Sequence, residues 1–492
     1  VSAAGAAIEV DGAAGRASFA RNALWLLLGQ VATTALAVVF SAALGRALGA
    51  HDFGVFYLIT TMATFAYVVA EWGQPMLVIR EVARAPGRAG ELLGTALVIR
   101  GALALLALVP AALVGAALGY DARTRGLSLL LIVALLPLAA AQAYGMVFRG
   151  RDQMGREALV SVTNKAVALA VTLPVLAVGA GVAGVIGAQA VAGVAALGLA
   201  VELYDRLGAP ALHVSAPTAR ALLSEGAPIL VMSGTIAAQP YLDAIVLSAL
   251  VPATVVGWFG AARIVLGTLT APATILATAA YPRLVRATGT PALPGEVRAA
   301  LRPLLWLGAL AATGTFLFAR PVIGAIYGAE SFAPAAVILT VFAPGFFLLF
   351  IDVLLGHVVY ATGRGAGFAA AKVASVVAGT ALNLVLIPYF QRRSGNGGIG
   401  VVVAFALSEL IVFAGAAFVL RRGTFQPAMA VDVARALAAA GVTLGLFHLL
   451  RPLPFWFGLP LCVVVFAAAS LALGLVSAAD ARLLRTLVRR AR

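Results

Sequence analysis

Residues 225–286, EGAPILVMSGTIAAQPYLDAIVLSALVPATVVGWFGAARIVLGTLTAPATILATAAYPRLVR, decide the fold. They hold two apolar runs, about 222–250 and 254–281, joined at Val251-Pro252. At 1.5 Å of rise per residue, each run is long enough to cross a hydrocarbon layer about 30 Å thick. Each also carries one deep charge, Asp243 in the first and Arg263 in the second. Asp243 lies about 10 Å and Arg263 about 14 Å below the turn, so the two are placed to meet. A charge at that depth costs about 2.5–3.5 kcal/mol and normally faces a partner or a wet cavity.

In the second run Arg263, Gly267, Thr270, Thr274, Thr278 and Tyr281 recur at helical spacing and form one polar stripe. Such a face suits a helix interface or an aqueous cavity and not lipid. Two readings stay open for Arg263: a structural pair with Asp243, or a cavity cation.

The rest of the chain is of the same kind. Its 492 residues are 62% hydrophobic and 11% charged, with a mean hydropathy of +1.04. Runs of about 20 apolar residues separated by short charged connections mark a polytopic helical membrane protein. The single Cys462 excludes disulfides and Cys-ligated metals, and four dispersed histidines supply no metal site. No cofactor is called for.

A net charge of +15 raises the question of nucleic acid. Most of the Lys and Arg fall in the N-terminal tail, in alternate connections and in the C-terminal tail, which is positive-inside asymmetry. The charge therefore sets topology and implies no nucleic-acid partner.

Apolar runs near 23–44, 54–73, 92–118, 126–148, 158–179, 182–203, 222–250, 254–281, 303–326, 334–361, 367–389, 398–420, 430–449 and 455–477 give about 14 spans, with both termini cytoplasmic. A shift of 203 takes Thr60, Thr64, Tyr67 and Glu71 onto Arg263, Gly267, Thr270 and Thr274, and a shift of 214 takes Pro174 to Pro388 and Gly184 to Gly398. The expected organisation is a disordered cytoplasmic tail at 1–20, an N-lobe at 21–220 (spans 1–6), a C-lobe at 221–425 (spans 7–12), two added spans at 426–477 and a basic cytoplasmic tail at 478–492.

Other spans carry polar positions too. Lys165 lies on the Ser161–Thr172 stripe and Lys372 on the Ser375–Asn383 stripe, while Arg100 lies about 12 Å into its span. The bland alternative is that Lys372 and Arg100 snorkel to headgroups. The acids Glu71, Asp243, Asp352 and Glu409 are candidates to carry coupling protons or sodium. Enzyme signatures are poor: Gly179–Gly184 fits GxGxxG by letters, yet it is the turn between two spans with no strand before it. The connections on the outer side are short and hold few acids, which disfavours an enzyme of lipid-linked sugar transfer.

Arg21-Asn22 before a span, LGRALGAHDFGVFYL at 44–58, IREVAR at 79–84, Gly-Ala-Pro-Ile at 226–229, YLDAIVLSAL followed by VGWFGAARI, IYGAESFAPAAVIL at 326–339 and NLVLIPYF at 383–390 together resemble polysaccharide repeat-unit flippases. These belong to the superfamily of multidrug, oligosaccharidyl-lipid and polysaccharide exporters, and the resemblance runs from about residue 20 to 425. It implies two pseudo-symmetric six-helix lobes around a central cavity that opens alternately inward and outward in the bacterial plasma membrane. It also implies a polyprenyl-diphosphate-linked glycan as substrate, membrane lipids as surroundings, and a polysaccharide polymerase or glycosyltransferases as partners. Catalysis of bond cleavage is not implied.

A diphosphate needs cations in a low-dielectric cavity, which Arg263, Arg100, Lys165 and Lys372 are placed to supply. Tyr57, Thr60, Thr64, Tyr67 and Thr270 offer hydroxyls to sugars. Two departures narrow the substrate. Lipid II flippases, a sister branch, carry denser arginine in the first lobe, whereas the span 2 stripe has Thr60 where span 8 has Arg263. Drug antiporters of the superfamily often have an acid on span 1, which is lacking here, although Asp243 and Asp352 lie on spans 7 and 10 as in one antiporter branch. A sodium- or proton-coupled multidrug antiporter is thus the alternative function.

Overall fold

The computed structural model describes the backbone of residues 2–420, 423–450 and 453–476, and the side chains of these except 2–24, 26, 27, 232–238 and 366. The basic tail expected at 478–492 lies outside the described residues. The described chain is helical throughout, with no strand. Its helices are α1 (Ser2–Glu71), α2 (Gln74–Arg84), α3 (Ala89–Leu106), α4 (Leu108–Ala117), α5 (Ala122–Ala134), α6 (Leu136–Gly150), α7 (Met154–Ala177), α8 (Gly181–Asp205), α9 (Ala216–Leu250), α10 (Ala253–Ala287), α11 (Leu293–Tyr327), α12 (Ala333–Ala361), α13 (Gly365–Ser394), α14 (Gly398–Val419), α15 (Pro427–Leu449) and α16 (Phe455–Ala472).

Twelve segments of described residues are long and apolar enough to cross a membrane. The first, Leu28–Glu71, is 44 residues long. Straight, it would extend about 66 Å, twice the hydrocarbon thickness, so it must be two crossings. The division falls at Gly49, whose φ of 71° and ψ of 175° break the helix in a region that side-chain-bearing residues avoid. Spans 1 and 2 therefore meet with no loop between them. The expected seventh span corresponds to α9, part of which lies among the side chains not described. The count of about 14 is reached by adding these two to the twelve. The helix also runs back through 2–20, where a disordered tail was expected; eight alanines, the strongest helix formers, populate that stretch.

Two spans are each built from two helices. The break at Ala107 between α3 and α4 precedes Pro110, and the break at Leu135 between α5 and α6 precedes Pro137. Proline supplies no N–H and clashes with the carbonyl four residues back, which ends the upstream helix. The Gly179–Gly184 letters fall at the α7–α8 turn, with Gly179 and Gly181 at φ of 74° and 60°, so the dinucleotide reading has no structural basis.

The chain divides into two compact units, 1–249 and 250–492. In the first, the N-terminal part of α9 is fastened to the helices before it. Trp72 Nε1 donates to the Leu223 carbonyl at 2.9 Å, Arg80 pairs with Glu225 at 3.0 Å, and Arg88 Nη2 donates to Thr218 Oγ1 at 3.3 Å. Sequence repetition predicts a lobe boundary at 220/221; the two compact units divide one helix later, at the α9–α10 turn. Within the second unit, α15 and α16 dock on α11. Asp432, 0% exposed, receives Arg298 at 2.6 Å and 3.1 Å, with Arg435 at 3.5 Å and Arg302 at 4.0 Å.

Hairpins of similar build recur in the two units. Pro174 lies inside α7 and Pro388 inside α13, and each helix is followed by a tight turn into its partner, α8 or α14. The α13–α14 pair is so close that a Cβ on Gly400 would sit 2.6 Å from the Leu386 carbonyl carbon and 2.7 Å from Ile387 N. Gly400→Ala is therefore expected to lower stability by about 1–3 kcal/mol from overpacking. Gly441→Ala, with nothing within 4 Å, is expected to be neutral or slightly stabilising. Thermal unfolding in detergent checks the pair, and equal midpoints would show that the hairpin relaxes freely.

Candidate functional site: a charged cavity in the first unit

Thr33 and the terminal Glu71 of α1, Arg100 in the second half of α3, most of the length of α6 and the first turns of α7 line a cavity of about 530 Å³. Its wall includes Glu71, Arg100, Gln142, Arg149, Glu157, Ser161, Asn164 and Lys165. The helices are apolar enough to span a membrane, yet the groups they turn toward one another here are polar, which is the arrangement expected of a wet site within a bundle.

Arg100 is the deepest of them, 3% exposed. Nη1 donates to the Ala139 carbonyl at 3.0 Å, a carbonyl lying just beyond the proline-induced break between α5 and α6. Nη2 is 4.0 Å from Met146 Sδ and 3.6 Å from Glu71 Oε1, and Nε has no hydrogen-bond partner among the described residues. Arg100 thus does not snorkel: it is held inside the unit with donor capacity to spare. Lys165 faces the same space, and among the described residues its ammonium has neither an ion pair nor a hydrogen bond. Beside it Asn164 is buried, with Nδ2 unpartnered among the described residues. Arg149 and Glu157 close the rim as a two-point ion pair, with Nε 2.6 Å from Oε2.

The cavity therefore brings together Arg100, Lys165 and Glu71 of the residues singled out by sequence. It adds Arg149 and Glu157, which the sequence offered only as charges flanking spans, and Asn164, whose signal was its place beside Lys165 on a polar stripe. Tyr57, Thr60, Thr64 and Tyr67 lie on α1 between the wall residues Thr33 and Glu71 and do not line it. Two of them use their hydroxyl protons within the unit: Tyr67 donates to the Ile132 carbonyl at 2.7 Å, and Thr64 to the Thr60 carbonyl at 2.7 Å.

In the second unit the candidates separate. Lys372 Nζ lies 2.7 Å from both carboxylate oxygens of Asp352 and 5.7 Å from the Phe368 ring centre. A lysine read as a cavity cation or a snorkeller is thus bound to an acid read as an ion carrier. Glu409, 2% exposed, is the neighbouring acid, and its Oε2 has no partner among the described residues. Arg263 is half-buried on α10, with no ion pair or hydrogen bond among the described residues. Thr270 on the same helix donates to the Gly267 carbonyl at 3.0 Å. Asp243 is buried on α9 in the first unit.

These features define a multi-pass membrane protein with charged groups sequestered inside each of its two helical units. The chain belongs to the polysaccharide biosynthesis protein family, whose profile matches residues 19–288. Its fold is shared with solved structures of very different sequence. The lipid II flippase MurJ in an inward closed conformation superposes with a TM-score of 0.75 at 12% identity, over 94% of this chain and 100% of that one. An inward-facing multidrug resistance MATE family transporter of the MOP superfamily gives 0.64 at 14% identity, over 79% and 93%. The Vibrio cholerae MATE transporter VcmN in its bent form gives 0.53 at 15%, over 83% and 98%. No curated protein matches by sequence. At 12–15% identity these neighbours establish the fold and not the cargo.

Proposed function

We propose that the protein is a flippase that carries a polyprenyl-diphosphate-linked oligosaccharide repeat unit outward across the bacterial plasma membrane by alternating access, for surface polysaccharide assembly. The observation that carries this reading is the pairing of Arg100 and Lys165 across a cavity in a membrane-spanning unit, with donors on both left over after internal bonding. Phosphate oxygens meet such donors with short, charge-assisted hydrogen bonds. Membership of a polysaccharide biosynthesis family and a fold shared with a lipid-linked substrate flippase support the same cargo class. Arg263 and the hydroxyls of Tyr57, Thr60 and Thr270 remain the groups assigned to the glycan path. The positive-inside distribution supports cytoplasmic termini, on the side where glycosyltransferases would build the substrate; a polymerase outside would consume it. The cycle breaks no covalent bond, and binding drives it only through different affinities for the inward and outward states.

The test is translocation in liposomes of a fluorescent polyprenyl-diphosphate oligosaccharide, scored by an impermeant quencher. Arg100→Gln and Lys165→Gln are each expected to reduce the rate at least about tenfold, the equivalent of one charge-assisted contact, while leaving membrane insertion intact. Unchanged rates in both would remove the cavity from the transport path.

The Asp352–Lys372–Glu409 group favours a second reading, a sodium- or proton-coupled multidrug antiporter, because a second buried acid, Glu409, stands near an Asp352 carboxylate whose two oxygens already hold the Lys372 ammonium. Gradient-driven efflux of a cationic dye without glycolipid movement would establish that function instead.

A further inference from the structure

We propose that Glu71 is a built-in counter-ion, which occupies Arg100 in the empty cavity and is displaced by the arriving phosphate. This rests on the reading of the cavity as a headgroup site. The two carboxylates of the cavity are held very differently. Glu157 is locked by two hydrogen bonds from Arg149. Glu71 stands 3.6 Å from Arg100 Nη2, as an ion pair only, and its side chain is 38% exposed to the cavity. Glu71 is also the last residue of α1, where a carboxylate meets the negative end of the helix dipole. Arg100 is its ion-pair partner, with Arg149 close enough to add a longer-range attraction. A phosphate reaching Nε and Nη2 would make the short hydrogen bonds that Glu71 does not make.

The charge balance follows from this difference. Three cations, Arg100, Arg149 and Lys165, face two carboxylates, which leaves one positive charge in the empty cavity. With Glu71 swung away, Arg100 and Lys165 present two, matching the two negative charges of a diphosphate diester and exceeding the one of a monophosphate diester. Glu71 then also supplies the means of release, because its return to Arg100 competes with the bound phosphate. Glu71 is thus a specificity and release residue, distinct from an ion carrier.

The test uses the full-length protein in detergent and two defined probes: P1-farnesyl P2-methyl diphosphate, with two charges, and farnesyl methyl phosphate, with one. Glu71→Gln is expected to bind the diphosphate about two- to fivefold more tightly than wild type, as loss of one competing ion pair implies, through slower dissociation. Glu71→Ala should shift affinity in the same direction, so that a defect particular to the amide is separated from the effect of charge. Equal or weaker binding by both variants, with binding still lost in Arg100→Gln, would overturn the counter-ion role and leave the headgroup reading intact. Wild-type binding that is insensitive to Arg100→Gln would overturn the headgroup reading and this proposal with it.

Discussion

Lys372→Met is expected to produce the greatest loss of stability of any single change considered. The Lys372 ammonium is shared between two oxygens of Asp352 at 2.7 Å, and both side chains are largely buried, at 15% and 12% exposure. Removing the cation leaves Asp352 in the membrane interior beside Glu409, with no counter-charge from α13. Breaking such a pair from one side typically costs about 3–5 kcal/mol, because the remaining charge stays desolvated. Asp352→Asn alone should also destabilise, by leaving the ammonium without its partner. The double variant Lys372→Met/Asp352→Asn should recover most of the loss, since it removes both charges together. Thermal midpoints of the four proteins in detergent check this. Additive losses would mean that the two residues act separately and that the observed pairing contributes little.

Asp432→Ala is expected to undock the two C-terminal spans. One fully buried carboxylate collects Arg298, Arg302 and Arg435, so its removal leaves three guanidinium groups converging on an empty place. The arginines are partly exposed and can take up water, which limits the cost to about 1–3 kcal/mol. A local readout is available in Cys462, the only cysteine, which is buried on α16. Its labelling by a thiol-reactive dye should accelerate in Asp432→Ala and stay slow in Arg435→Gln, in which the bidentate Arg298 contact survives. Unchanged labelling in Asp432→Ala would show that apolar packing alone holds α16.

The spans were legible in the sequence because the bilayer imposes a length and a polarity on every one of them. Where sequence and structure part, the cause is a contact between spans. Lys372 and Asp352 were both recognised as unusual, but nothing in a linear pattern says that a cation on one span meets an acid on the preceding one. Asp432 does not stand out in the sequence because it lies close to the start of its span, where water access ordinarily explains a charge; in the fold, three arginines on α11 and α15 close over it. The cavity was half legible. Arg100 stands out by depth and Lys165 by its polar stripe, whereas Arg149 and Glu157 look like ordinary flanking charges until α6 and α7 are folded against each other. Tyr67 went the other way: its position on a repeated stripe suggested a ligand, and its hydroxyl instead bonds the Ile132 carbonyl.

The bend at Gly49 bears on how the chain is made. With one non-helical residue in place of a loop, only the short stretch 45–53, with Arg46, His51 and Asp52, lies between the first two apolar runs. The backbone groups freed at the bend must find water or polar partners, which places them at the membrane surface, where His51 and the Asp52–Arg123 pair also sit. The two spans are therefore expected to enter the bilayer as one unit. The first commitment of the chain to its orientation would then fall on two helices at once.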